Sequence, residues 1–301
     1  MRIQFVVILL LLNLFHHAIK AADNLLWMSY SQIQSDYYGD GNSSLKPDGF
    51  NFGYMGDLSE QWQISFNYGK FTSADSWSIE GVENRDLFNQ ARTESQSIGL
   101  GITWLIDDYS ISFDYAQQEY TENAISRMPR LDEEISSDDQ FYSVSLDSFV
   151  GFENWILGWG LGSQYSDSKN KTQQIYRTDP VIMSNSQFDQ TRWNVFLDLV
   201  IGSSYAFDDF DLLPALSLSW NSELSGDGEP LLVVTRDGER RVFTQFDYRN
   251  NNTYRLPDSG LWLISFTFDW KNNWSTSLTY GQNFSADIEV SSWSVDLSVE
   301  F

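Results

Sequence analysis

Ser-Trp-Ser-Val-Asp-Leu-Ser-Val-Glu-Phe, residues 292–301, alternates without a slip. Trp293, Val295, Leu297, Val299 and Phe301 are apolar, and Ser292, Ser294, Asp296, Ser298 and Glu300 between them are polar. A period of two is a β-strand with one apolar and one wet face. The same alternation recurs upstream. Ile98, Leu100, Ile102, Trp104 and Ile106 oppose Gly99, Gly101 and Thr103. Trp155, Leu157, Trp159, Leu161 and Tyr165 oppose Gly158, Gly160 and Gly162, and Trp262, Ile264, Phe266, Phe268 and Trp270 oppose Ser265, Thr267 and Asp269.

Counting every such segment, with residues 24–37 as a strand whose faces the pattern does not assign, predicts twelve strands. Short turns fall at Asp57–Glu60, Asp107-Asp108, Glu153-Asn154, Asp208-Asp209 and Lys271–Asn273. Longer polar connections fall near 38–48, 72–92, 122–137, 169–187 and 223–257, with a brief sixth near 286–288. Twelve antiparallel strands with both termini on one side need five turns there and six connections on the other. Short turns on one side and long loops on the other mark a membrane barrel. Trp62, Trp104, Tyr109, Trp155, Phe207, Trp270 and Trp274 lie beside the short turns on the apolar face, as in an interfacial aromatic girdle. A soluble β-sandwich would need a core for nearly all these faces and would not cluster its aromatics at the turns. The expected fold is all-β: a transmembrane antiparallel up-and-down β-barrel of about 12 strands.

Residues 1–21 run from Met1-Arg2 through an apolar stretch to Ala18 and Ala21, the order of a secretory signal peptide. The expected organisation is a signal peptide over 1–21 and one barrel domain over 22–301. Loss of Arg2 and Lys20 with that segment takes the basic residues from 18 to 16 against 42 acidic, a formal charge of −26. That balance argues against nucleic acid as a partner. An aromatic content of 16% argues against disorder. No later window carries the unbroken apolar run of a membrane helix.

The only histidines are His16 and His17, and cysteine is absent, so residues 22–301 hold neither imidazole nor thiol. Ser–His hydrolysis and ordinary zinc sites have no residues to run on, and no catalytic residue, metal ligand or cofactor is expected. By parity the inward face is mostly Ser, Gly, Thr and Asn, which predicts a roomy, wet lumen. Asp114, Asp147, Asp198, Asp269, Asp296 and Glu300 point into it, with Arg192 the clearest inward base. Unpaired carboxylates there predict a weakly cation-preferring path. Near 223–257, Leu231–Thr235 and Arg241–Tyr248 flank Asp237-Gly238, a hairpin signal, and Arg236, Arg240, Arg241, Arg249 and Arg255 lie in this segment. This segment reads as an extracellular extension of two strands; the alternatives are a plug with its arginines on the acidic wall, or contacts to lipopolysaccharide phosphates. LDEEISSDDQ (131–140) reads as a solvated loop, with calcium binding the alternative.

The whole of 22–301 resembles the translocator barrel of autotransporters, in the solitary kind without a passenger. Ser294, Val299 and Phe301 match the polar and apolar positions of the terminal assembly signal, and Asp296 stands where glycine is usual. The resemblance implies a Gram-negative outer-membrane location, with membrane lipid, lipopolysaccharide and the barrel-assembly machinery as partners. It implies a non-enzymatic barrel. The expected role is a small-solute pore; the alternative is a surface receptor or adhesin acting through its loops.

Overall fold

The computed structural model describes residues 24–37, 44–80, 86–127, 130–236, 239–243, 259–284 and 288–301. The expected signal peptide lies outside these residues. The strands are β1 (Asn24–Tyr37), β2 (Ser44–Leu45), β3 (Asp48–Ser59), β4 (Trp62–Glu80), β5 (Asp86–Ile106), β6 (Tyr109–Arg127), β7 (Arg130–Phe152) and β8 (Trp155–Tyr176). They continue as β9 (Ile182–Ser203), β10 (Tyr205–Ala206), β11 (Phe210–Arg236), β12 (Glu239–Phe243), β13 (Ser259–Trp270), β14 (Trp274–Asn283) and β15 (Ile288–Glu300).

All but the short β2, β10 and β12 form one closed antiparallel barrel of 12 strands. Sequence neighbours pair around the wall, and the seam closes where β15 meets β1, from Leu25 opposite Glu300 to Tyr37 opposite Ile288. The five short turns stand where the sequence placed them. Three of them hold a non-glycine residue in the left-handed region: Asp107 at φ 49°, Glu153 at 51° and Asn273 at 67°. Asp and Asn tolerate that region, which lets strands reverse over very few residues.

The outward face is apolar and open. Leu100 is 53% exposed, Leu199 42% and Val295 43%, and such residues encircle the wall. A band of that size facing water would aggregate, so it faces lipid. Two aromatic belts bound it. Beside the short turns, Trp62 stacks on Trp104 at 5.8 Å, and Phe210 meets Phe207 at 4.9 Å and Trp270 at 5.3 Å. The opposite belt runs Tyr115–Tyr142–Tyr165–Trp193, with steps of 5.2, 6.2 and 5.2 Å, and includes Tyr30, Phe50, Trp293, Trp262 and Tyr280. On β13, Trp270 lies in one belt and Trp262 in the other, the separation a tilted strand needs to cross the apolar layer.

Four expectations are corrected. First, the connections expected at 72–92, 122–137, 169–187 and the start of 223–257 are mostly strand, because β4–β9 and β11 continue well past the second belt. Outside the lipid an outward residue meets water, so the apolar–polar alternation disappears while the ladder persists. Second, LDEEISSDDQ is not a loop: it belongs to β7, with Ile135, Ser137 and Asp139 on its inner face at 1, 7 and 3% exposure. Third, residues 24–37 do alternate. Leu25, Trp27, Ser29, Ser31 and Ile33 are buried inside, while Met28 and Tyr30 lie outside. Fourth, the interior is not uniformly small and polar. Leu25, Trp27 and Met55 pack together inside near the turn end. Phe71, Ile135, Phe141 and Ile33 are buried inside at or beyond the second belt.

The rim opposite the short turns is therefore lopsided. β4–β9 and β11 form a tall wall, and β13, β14, β15, β1 and β3 a low one. The tall wall's inner face is packed; between the belts Asp114, Asp147, Phe149 and Phe196 are half-buried, whereas Asp198, Ser217, Ser277 and Asp296 are buried.

Candidate functional site: the acidic lumen

The site begins with β8. Its inward positions between the belts are Gly158, Gly160 and Gly162, and neighbouring side chains occupy the volume their missing Cβ atoms would fill. An added Cβ would lie 2.4 Å from the Phe149 ring, 2.3 Å from Asp147 Oδ1 and 2.1 Å from the Phe196 ring, respectively. Register makes this a ladder: Phe149 opposite Gly158, Asp147 and Asp198 flanking Gly160, and Phe196 opposite Gly162. Any larger residue at these three places would drive an aromatic ring or a carboxylate toward the lumen axis.

Asp147, Asp198 and Asp114 come together on this side of the barrel. Asp147 accepts a hydrogen bond from Ser145 Oγ at 2.8 Å, and Asp198 accepts one from Ser219 Oγ. Asp114 sits over Gly101, on the strand next to the one that carries Asp147. Asp114, Asp147, Phe149 and Phe196 are half-buried, which leaves them open to the lumen. Asp296 also points inward, 7% exposed, and accepts from Ser294 Oγ at 3.2 Å, but it lies across the barrel between Ser29 and Ser277. Asp269 stands apart near the turns, opposite Asp211 and Ser275. Among the described residues no three acidic side chains gather as a metal site would require.

Above this chamber Arg192 is, among the described residues, the only buried basic side chain. Its Nε lies 3.7 Å from Glu223 Oε2, and its Nη2 donates to Gln190 Oε1 at 2.6 Å. The Asp139 carboxylate lies close enough to attract it. Glu223 keeps the inward parity of Ser217 and Ser219, Leu224 lies outside at 66% exposure, and a β-bulge between Glu223 and Ser225 exchanges the faces beyond them. Sequence reading missed Glu223 and Asp139 because both lie in stretches it assigned to loops. The signal available was Arg192 itself, which requires a buried partner.

No family model matches the chain, and no curated protein matches it. The backbone does match solved structures. The translocator domain of autotransporter NalP from Neisseria meningitidis superposes with a TM-score of 0.72 at 12% identity, covering 99% of this chain and 96% of that one. The fold is that of an autotransporter translocator barrel. The β domain of the Bordetella autotransporter BrkA gives a TM-score of 0.56 at 9% identity, over 93% of this chain and 100% of that one. The transport unit of AIDA-I from Escherichia coli gives 0.53 at 9% identity, over 95% and 92%. At these identities only the architecture is shared, so the lumen residues must be judged on their own chemistry.

The loop arginines do not join the site. β11 and β12 form the expected hairpin, with Arg236 opposite Glu239 and Arg241 opposite Val234, and Arg236, Arg240 and Arg241 are exposed. β11 stays paired with β9 as far as Arg236 opposite Ile182. At about 3.3 Å per residue the tip stands roughly 50 Å along the strand from Trp220 in the belt. The hairpin thus continues the strands of the wall, and its arginines stand far along the strand from the lumen carboxylates. Arg249 and Arg255 lie outside the described residues. At the seam, Ser294 faces inward, while Phe301 is 66% exposed at the rim and donates its N–H to the Asn24 carbonyl at 3.0 Å.

Proposed function

We propose that the chain is a non-enzymatic outer-membrane barrel that passes small polar solutes, preferring cations. The observation that carries this is the lumen segment lined by half-buried Asp114 and Asp147 with Asp198 buried beside them, where no basic side chain among the described residues offsets the charge. Charged rings on a water-filled path set the sign of the preferred ion. The packed inner face of the tall wall supports a conductance far below that of a wide porin. In planar bilayers with a KCl gradient, the reversal potential is expected on the K⁺ side. Asp147→Asn with Asp198→Asn is expected to move it toward zero. Equal K⁺ and Cl⁻ permeability in the wild type would sink this reading.

A second reading, surface receptor or adhesin, is favoured by the tall wall. Its upper part carries Ile125, Val181 and Val242 at 54, 52 and 52% exposure, far from any lipid. Replacing the β11–β12 tip with a tight turn is then expected to abolish adhesion of expressing cells while conductance stays unchanged. For assembly we propose that Ser294, Val299 and Phe301 are read by the barrel-assembly machinery.

A further inference from the structure

We infer that the lumen holds a binding site for an organic ammonium ion, formed by Phe149 and Phe196 on either side of the Asp147–Asp198 rung. The inference rests on the cation-preferring reading and names its solute class. Three features converge. Two half-buried phenyl rings and one half-buried carboxylate face the same lumen segment. The glycines of β8 accept all three side chains against the wall. The rung pairs Asp147 with Asp198 across Gly160, so two carboxylates flank one strand.

Spacing selects the ligand. The Phe149 and Phe196 rungs are four residues apart on β8, about 13 Å at 3.3 Å per residue. A cation midway sits roughly 6.5 Å from each rung, and a shift of about 1 Å along the strand brings it within cation–π reach of one ring, with the carboxylates beside it. A hydrated alkali ion gains from the carboxylates alone. An alkyl- or arylammonium ion also loses its apolar surface to the rings, so it binds more tightly. The Ser145 and Ser219 hydroxyls hold the two carboxylates and leave acceptor capacity free on each.

The test is calorimetric titration of the refolded full chain with benzyltrimethylammonium chloride, with benzyl alcohol as the uncharged comparison. Heat-shifted gel mobility verifies the fold of each variant. The wild type is expected to bind the ammonium and not the alcohol. Phe196→Leu and Phe149→Leu are each expected to weaken binding roughly three- to thirtyfold. Asp147→Asn is expected to weaken it more than tenfold. Phe196→Leu leaves both carboxylates and their hydrogen bonds in place, so it decides the matter if an Asp variant fails to fold. No binding by the wild type, or unchanged affinity in both Phe variants, overturns the site. Equal K⁺ and Cl⁻ permeability with ammonium binding intact would remove the conduction reading and leave the site standing.

Discussion

Arg192→Met is expected to destabilise the barrel by about 3–5 kcal/mol, the cost of stranding a buried charge. At 3.7 Å the Arg192–Glu223 attraction is about 4–5 kcal/mol for an effective dielectric of roughly 20, and desolvation of two side chains at 4 and 6% exposure consumes most of it. The pair therefore adds little net stability, yet breaking it is expensive. Methionine removes the charge, so Glu223 and Asp139 lose the guanidinium that attracts them. Adding Glu223→Gln to Arg192→Met should recover part of the loss, because the carboxylate nearest the lost guanidinium is then neutral. Arg241→Met, at the exposed hairpin tip, should leave stability unchanged. Urea unfolding in lipid vesicles, followed by tryptophan fluorescence, reads all three. A midpoint for Arg192→Met equal to that of the wild type would show the guanidinium to be water-solvated rather than locked in the wall.

This lock also explains what the sequence left illegible. Between the belts each outward residue meets lipid and each inward residue meets water or other polar groups, so Ile98–Ile106 or Trp262–Trp270 declares itself by parity. Past the second belt Asp138, Ser136 and Glu134 face water outside, while Asp139, Ser137 and Ile135 pack inside. No alternation of apolar and polar survives there, and a real strand reads as a loop. The bulge at Glu223 adds a second difficulty, because it exchanges the two faces of β11 midway. The lumen carboxylates lay below that level and were legible. Their grouping was not: parity places Asp114, Asp147, Asp198, Asp269 and Asp296 on one side of the wall, but only the register separates Asp269 and Asp296 from the other three. The phenyl rings were hidden for a further reason. Phe149 and Phe196 break the rule of small inward residues, and they fit only because Gly158 and Gly162 lie opposite.

The membrane reading itself rests on a sign that one pair of adjacent residues can test. Ile264 points outward between the belts at 40% exposure, and Ser265 points inward. In a water-soluble barrel an exposed Ile264→Arg change would be neutral or favourable, since it replaces apolar surface in contact with water. In lipid the same change is expected to destabilise by about 2–4 kcal/mol, as for Arg near the bilayer midplane of a β-barrel. Ser265→Arg moves the charge by a single residue into the wet, acidic lumen. It is expected to alter stability by less than about 1 kcal/mol while lowering the preference for K⁺, because the new guanidinium offsets carboxylate charge along the path. Urea titration in phospholipid vesicles gives the first quantity and bilayer reversal potentials the second. If Ile264→Arg were no worse than Ser265→Arg, the apolar band would not face lipid, and the aromatic belts would need another explanation.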